Sequence, residues 1–276
     1  MKHPGATLRE LMNQKTIMCP GAWNGLIAKA VVQAGFQSCY ISGGATANSV
    51  GYPDTGLISL AEMVAKIREI NNACDLPIIV DADTGYGDIS QTITDYEKSG
   101  AAGMHIEDQV FPKRCGHLEG KKLIKTEDMS KKISLAVKSR LDSSFIIIAR
   151  TDARGVDGIE AAIERGLAYR EAGADMIFPE GLHSKKEFEI FAEGCPGLLL
   201  ANMTEFGKTP FLHIDEFTHI GYQLVIYPVT MQRVAMNAII SSLSKLKESG
   251  SAEGFVNNMQ TRSELYKMLE YSPEAD

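Results

Sequence analysis

One pattern recurs along the chain. A short run of consecutive apolar residues meets a polar or glycine punctuation, and a stretch with helical spacing follows. The runs fall at residues 16–19, 38–41, 77–80, 103–106, 145–149, 175–178, 198–201 and 223–227. The punctuations are Pro20-Gly21, Ser42-Gly43-Gly44, Asp81-Ala82-Asp83, Glu107-Asp108, Arg150-Thr151-Asp152, Pro179-Glu180, Asn202-Met203-Thr204 and Pro228. Helical spacing predicts helices over 23–34, stopped by Gly35, over 158–172, stopped by Gly173, and over 231–247. Ser42 to Asp54 reads as a longer loop. Ser59 with Glu62 three residues on has the form of a capping box. Thr126 and residues 129–141 read as a capped helix. A last helical stretch, 252–269, lies outside the eight units.

Strands alternating with helices argue for a parallel sheet with crossover helices. The runs are continuously apolar, as strands covered on both faces are. Eight of them in a chain of this length is the number of an α/β (β/α)₈ TIM-type barrel. A doubly wound open sheet competes, but it calls for a glycine-rich turn after the first strand, and Pro20-Gly21-Ala22-Trp23 is not one. The expectation is a single barrel domain over 1–276, with 251–276 as a C-terminal helical extension.

Composition narrows the class. A net charge of −7 without a basic stripe argues against nucleic acid as a partner. The longest apolar runs are too short for a bilayer, and Met1-Lys2-His3-Pro4 lacks a signal-peptide core. Five cysteines at irregular spacing suggest reduced thiols and a cytoplasmic protein.

In a barrel all the strand ends meet at one rim. That gathers Tyr40, Ser42, Asp81, Asp83, Glu107, Cys115, Arg150, Glu180 and Asn202. Any single Asp or Asn there is ordinarily a turn former; so many charges at one end are not. Asp81 and Asp83 are two apart, so on a strand they point the same way. With Glu107 nearby they call for a cation, and hard oxygens with open positions suit Mg²⁺, with Mn²⁺ as a possible substitute. Arg150 has the fork to grip a carboxylate, or to pair with Glu180 or Asp152. Cys115 lies among Lys113, Arg114 and His117, and neighbouring cations lower a thiol pKa; an inert thiol in a basic surface loop is the plainer alternative. Because the global charge is negative, Arg150, Arg233, Arg262, Lys113 and the metal are expected to focus positive potential on an anionic substrate. A Schiff-base aldolase needs a lysine at a strand end, and none of the eight has one. A non-catalytic binding protein would be expected to lack one of Asp81, Asp83, Cys115 or Arg150.

The runs Tyr40-Ile41-Ser42-Gly43-Gly44, Asp81 to Gly87, Ile106-Glu107-Asp108-Gln109, Lys113 to His117, Ala149 to Asp152, Phe178-Pro179-Glu180, Asn202 to Gly207 and Met259 to Arg262 carry a resemblance over nearly the whole chain. Together they resemble the isocitrate lyase/phosphoenolpyruvate mutase superfamily. Lys-Arg-Cys-Gly-His marks its lyases, and the Asn202 and Met259 stretches resemble the methylisocitrate branch. The resemblance implies a (β/α)₈ barrel with a helix exchanged between subunits, as a homotetramer (dimer of dimers). It implies a small tricarboxylate substrate, 2-methylisocitrate, cleaved to pyruvate and succinate in propionate catabolism through the methylcitrate cycle. Isocitrate, dimethylmalate or oxaloacetate chemistry on the same scaffold is the alternative. By the same resemblance, Ser42, Gly43 and Gly44 hold a substrate carboxylate. Asp81 and Asp83 hold Mg²⁺, with Asp54 and Glu107 around them. Tyr40 is the base, Cys115 the carbon acid, and Gly116, His117, Arg150, Glu180, Asn202, Thr204, Arg233 and Arg262 line the pocket. Leu118-Glu119-Gly120-Lys121 departs from the Arg-Pro-Asn-Lys of some relatives, which bears on substrate more than on reaction type. Phe178, Ile226 and Pro228 offer an apolar wall for the extra methyl group, or simply pack the barrel.

Overall fold

The computed structural model describes residues 2–273. Eight parallel strands form: β1 (Ile17–Pro20), β2 (Cys39–Ile41), β3 (Ile78–Asp81), β4 (Gly103–Glu107), β5 (Ile146–Thr151), β6 (Met176–Pro179), β7 (Leu200–Asn202) and β8 (Leu224–Tyr227). Strands β2 to β6 pair in sequence, and β8 lies between β7 and β1. Two bridges close the ring: Gly21 with Tyr40, and Ile177 with Leu199. The expected barrel is therefore present, with its strands where the apolar runs predicted them.

Both faces of the strands are covered, which is why the runs do not alternate. Ile17, Ile79, Ile146, Ile148, Met176, Leu200 and Leu224 fill the interior, with Leu8 and Met12 of the helix Pro4–Gln14 packed among them. The opposite faces, including Ile78, Val80, Ile147 and Ile177, meet the outer helices. Among these helices Leu60–Ala73 has the predicted capping box from Ser59 and Glu62.

Three local expectations are corrected. Ser42 caps a short helix, Gly43–Ser49, by accepting from the Ala45 amide; the double glycine read as a turn because it lacks helix propensity. The helix Thr126–Ser139 starts after Lys125 and has no side-chain cap. The tail is not one helix: a 3₁₀ segment, Glu253–Asn258, ends at Met259, and Thr261 caps a new helix, Arg262–Met268. Residues 274–276 of the expected extension lie outside the described residues.

The helix Thr230–Ser249 is unlike the others. Of its 20 residues it buries Gln232, while Val234, Ile239, Ile240 and Leu243 are exposed. Near its start, an apolar groove of about 490 Å³ is lined by Met18, Trp23, Ile27, Phe36, Tyr227 and Val234.

Candidate active site

The C-terminal strand ends bring the predicted carboxylates together. Asp81 ends β3. Its Oδ1 accepts the Asp83 amide at 3.0 Å, and its Oδ2 accepts the Gly43 amide at 3.1 Å. Asp83 is beyond the strand with φ 46°. A non-glycine residue in the left-handed region is uncommon and typical of functional sites. The same-side placement expected from strand geometry thus comes from a strained turn instead. Gly43 and Gly44 are required by close approach: a Cβ on Gly43 would sit 3.0 Å from Asp81 Oδ2, and one on Gly44 3.2 Å from the Asp54 carboxyl carbon. The Gly43 amide is committed to Asp81 rather than open to a substrate carboxylate.

The loop after β4 folds back over this end. Gln109 bridges Leu123, and the Val110 amide donates to the Lys122 carbonyl at 2.7 Å, pinching the loop at its neck. From its tip, Lys113 Nζ reaches Asp54 Oδ1 at 2.5 Å and Asp83 Oδ1 at 2.6 Å. A Cβ on Gly116 would lie 2.5 Å from Arg150 Nη2 and 2.5 Å from Glu180 Cγ. His117 Nε2 lies 3.3 Å from Glu180 Oε1, and its Nδ1 accepts the Lys208 amide at 3.2 Å. Lys113, Gly116 and His117 are thus packed onto the barrel mouth. Alongside, a cavity of about 970 Å³ between the Ser59 and Thr126 helices shares Asp83 and Gln109 with this end of the barrel.

Arg150 is enclosed by acids. Its Nε and Nη2 donate to Asp152 Oδ2 at 2.9 Å and Oδ1 at 3.1 Å. Glu107 Oε2 lies 3.4 Å from Nη2, and Glu180 Oε2 3.5 Å from Nη1. The fork expected to grip substrate is taken by Asp152. Glu180 also accepts from Asn202 Nδ2 at 3.1 Å. The Arg150 guanidinium stands 5.3 Å above the Phe178 ring. Phe178 and Ile226 belong to the barrel interior.

Burial and charge set the protonation states. Burial acts to raise the Glu180 pKa, but Arg150, His117 and Asn202 outweigh it and hold the group below the ordinary range. Asp81 is likewise held low against burial by His105, Lys113 and Arg150. Asp83 is pushed up to about 6 by burial and by Asp81. Burial raises Glu107 well above its ordinary value against the pull of Arg150 and Lys113. Lys113 stays cationic because Asp83, Glu107, Asp81 and Asp54 overcome its desolvation. The Tyr40 hydroxyl lies 2.7 Å from His105 Nε2. Burial and then Asp81 push the Tyr40 pKa well up, while burial lowers His105 to about 4.

Cys115 carries a further correction. Its neighbouring cations predicted a lowered pKa; burial instead raises it above the ordinary 9.0. Arg114 turns away from it, donating to the Glu119 carbonyl at 2.9 Å. The thiol therefore keeps its proton at neutral pH, the state a proton donor needs.

Of the two remaining expected pocket residues, Arg233 lies against the segment beyond β7 that touches His117, and Arg262 lies outside the mouth. Arg233 is half-exposed, 3.3 Å from Glu205 and 5.2 Å over the Phe206 ring. Arg262 is exposed at the start of Arg262–Met268, a helix packed against Gly25–Gln33 on the outside of the barrel. The positive focus within this chain is Lys113, Arg150 and Lys121. Thr204 is half-buried just beyond β7. The sequence reading gave no role to His105 and Lys121, and Asp152 only as a pairing for Arg150. His105 had a visible signal, a lone polar residue in an apolar strand.

Among the described residues no three His, Cys, Asp or Glu side chains group at metal-holding distance. The donor set still fits a hard cation that keeps water and substrate oxygens. Asp81 and Asp83 converge on Gly43, and Glu107 Oε1 is buried without a hydrogen-bond partner.

A closed parallel barrel whose mouth collects paired carboxylates, a guanidinium and a loop thiol defines an α/β-barrel enzyme of carboxylate chemistry. The chain belongs to the phosphoenolpyruvate phosphomutase family, which it matches over residues 8–247. It is 50% identical to a probable 2-methylisocitrate lyase 1 of Corynebacterium glutamicum, over 91% of this chain and 84% of the relative. It is 46% identical to a 2-methylisocitrate lyase of Aeropyrum pernix, over 98% and 89%. Among solved structures, a 2,3-dimethylmalate lyase, described as a PEP mutase/isocitrate lyase superfamily member, superposes with a TM-score of 0.91 at 37% identity, covering 97% of this chain and 92% of that one. A phosphonopyruvate hydrolase in complex with oxalate and Mg²⁺ superposes with a TM-score of 0.88 at 26% identity, over 98% and 95%.

Proposed function

We propose that this chain is a carbon–carbon lyase that cleaves 2-methylisocitrate to pyruvate and succinate. The observation that carries the reading is the Lys113 to His117 loop, which seats Gly116 and His117 against Arg150 and Glu180 and brings a protonated Cys115 to the mouth. Near-full-length identity to 2-methylisocitrate lyases supports this substrate.

Asp81 and Asp83 would hold Mg²⁺, directly or through water, with Asp54 and Glu107 around them. When bound, the ion supplies Lewis acidity at the substrate hydroxyl and its neighbouring carboxylate. Tyr40 accepts the hydroxyl proton in this reading. Burial and Asp81 hold its phenol protonated as it stands, so its ionisation requires added positive charge beside Asp81. As the hydroxyl becomes a carbonyl, the carbon–carbon bond breaks and releases pyruvate. The electron pair stays on the succinate half, and the Cys115 S–H delivers a proton to that carbon. Glu180 is anionic and does not itself bind a carboxylate; it fixes Arg150, His117 and Asn202 as donors. Thr204, Ser42 and Gly44 lie at the same rim as further donors. The seated loop excludes water from the carbanion.

The proposal extends to assembly. The barely buried helix Thr230–Ser249 and the apolar groove near its start support exchange of that helix between subunits, in a dimer or a dimer of dimers. Arg262, which this chain leaves outside its own mouth, is then a candidate for an assembled site. Residues 1–276 would be one barrel domain with 251–276 as its extension. No helix among the described residues is long and apolar enough to cross a membrane; the five unpaired cysteines favour a cytoplasmic location in propionate breakdown.

The second reading is 2,3-dimethylmalate cleavage, favoured by the solved lyase of that substrate. The decisive assay follows keto-acid release from 2-methylisocitrate, isocitrate, 2,3-dimethylmalate and oxaloacetate, with and without Mg²⁺. The highest kcat/KM on 2-methylisocitrate is expected, lost on chelation. A higher value on another of the four substrates, or chelator-resistant turnover, overturns the reading.

A further inference from the structure

We propose that Lys121 is the latch of the mouth loop: a positioning residue that ties the seated loop to Asp152 and, through Asp152, to Arg150. The inference rests on the lyase reading for its kinetic consequence but not for its structural one.

Lys121 is on the descending arm of the loop, before the neck at Leu123. It is nearly buried, unusual for a lysine, which is rarely buried unless paired. Its Nζ donates to the loop's own Gly116 carbonyl and to Asp152 Oδ1 at 3.1 Å. One ammonium therefore grips both the residue that touches Arg150 and Glu180 and a fixed point on the barrel. A Cβ on Gly155 would stand 3.1 Å from this Nζ; the glycine leaves room for it.

Asp152 is fully buried and held from below. Its amide donates to Asp108 Oδ1 at 2.9 Å. Asp108 in turn accepts from Thr151 Oγ1, the Tyr169 hydroxyl and Arg165 Nη1 at 2.8, 2.8 and 3.2 Å. Asp152 Oδ1 accepts from both Lys121 and Arg150 Nη2, each at 3.1 Å. Lifting the loop removes one of the two cations on that oxygen and leaves a buried carboxylate short of a partner. Leaving such a charge unpaired is unfavourable. The seated loop and the fixed Arg150 thus stabilise each other across Asp152. Lys113 and His117 hold the tip through other acids, so neither duplicates the link to Asp152.

The test compares the full-length wild type with Lys121→Met, Lys121→Arg and Asp152→Asn. Hydrogen–deuterium exchange of residues 110–122 in the protein alone is expected to quicken at least about tenfold in Lys121→Met, which loses two buried charge-assisted hydrogen bonds. Exchange of the β3 and β5 strands should quicken far less than that of the loop. The Arg variant should recover most of the protection. With 2-methylisocitrate, kcat should fall by about a hundredfold, the effect of a misplacement near 1 Å, while KM changes far less. Lys121→Met combined with Asp152→Asn should loosen the loop no more than Lys121→Met alone. Wild-type protection in Lys121→Met overturns the latch. So does exchange that quickens equally over the whole barrel, because that is a structural role. If the wild type does not cleave 2-methylisocitrate, the substrate reading fails and the exchange arm still decides the latch.

Discussion

Gly116 and Arg150 approach so closely that a single added carbon would separate them: a Cβ on Gly116 would lie 2.5 Å from the guanidinium Nη2. Arg150 has no freedom to retreat, because Asp152 holds two of its nitrogens from one side and Glu180 lies at the third.

Gly116→Ala is therefore expected to keep the barrel and lose the seated loop. A misplacement of this size lowers kcat by about a hundredfold, with thermal stability unchanged, because the loop lies outside the barrel's apolar clusters. Steady-state kinetics and a melting curve on the same preparation check both halves. Wild-type turnover in this variant would mean that the contact is not used during catalysis.

Cys115→Ser tests the proton donor. A serine hydroxyl fills the same space but is a far weaker acid than a thiol. Loss of a positioned general acid is expected to lower kcat by about 10²- to 10⁴-fold, with substrate binding retained by calorimetry. The sign of the pH dependence follows from the direction of the shift. The reaction needs the protonated thiol, and burial raises its pKa above 9.0. Its contribution is thus intact through neutral pH and falls as pH rises through that higher value. A Cys115-dependent loss of activity centred below neutrality would contradict the assignment.

How much of this was legible beforehand depended on the range of the interaction. The strands were legible because Ile78 to Val80 and Ile146 to Ala149 are apolar on both faces, and a barrel strand is covered on both. The capping box at Ser59 was legible because it is closed within four residues. Asp81 and Asp83 could be grouped from their spacing, although the left-handed turn that aims Asp83 could not. The pairs that organise the mouth join residues far apart in the chain: Lys113 with Asp54, Lys121 with Asp152, His117 with Glu180. No local pattern encodes them. The Cys115 pKa is hidden from the sequence for the same reason. Lys113 and Arg114 are its neighbours in sequence, but they spend their charge elsewhere, and burial decides.

Glu180→Gln separates stability from chemistry. In the folded state Arg150, His117 and Asn202 hold Glu180 below its ordinary 4.5. A depressed carboxylate contributes stability that is full above the unfolded value and is lost as pH falls through the lower folded one. Near neutrality Glu180→Gln should destabilise the protein by about 3 kcal/mol, since it leaves Arg150 with one less acid in a buried group. As pH falls below 4.5 the gap to the wild type should narrow. Denaturant titrations at several acidic pH values measure this. A gap that widens on acidification would show that Glu180 is not the ionised partner of Arg150.

Ile240 and Leu243 are 58% and 59% exposed on a helix that buries little else against its own chain. Leaving several large apolar side chains in water forgoes about 25 cal/mol per Å² of burial, so a covered face is favoured. The apolar groove lined by Trp23, Ile27, Phe36 and Tyr227 has complementary character. Ile240→Glu is expected to shift sedimentation mass from a multimer toward a single chain. Activity should fall with it if the assembled mouth draws on Arg262 of a neighbour, whereas a change confined to solubility would leave kcat per chain intact. A monomeric wild type, or a variant with unchanged mass, would remove helix exchange from the account and leave this helix without an explanation for its exposed face.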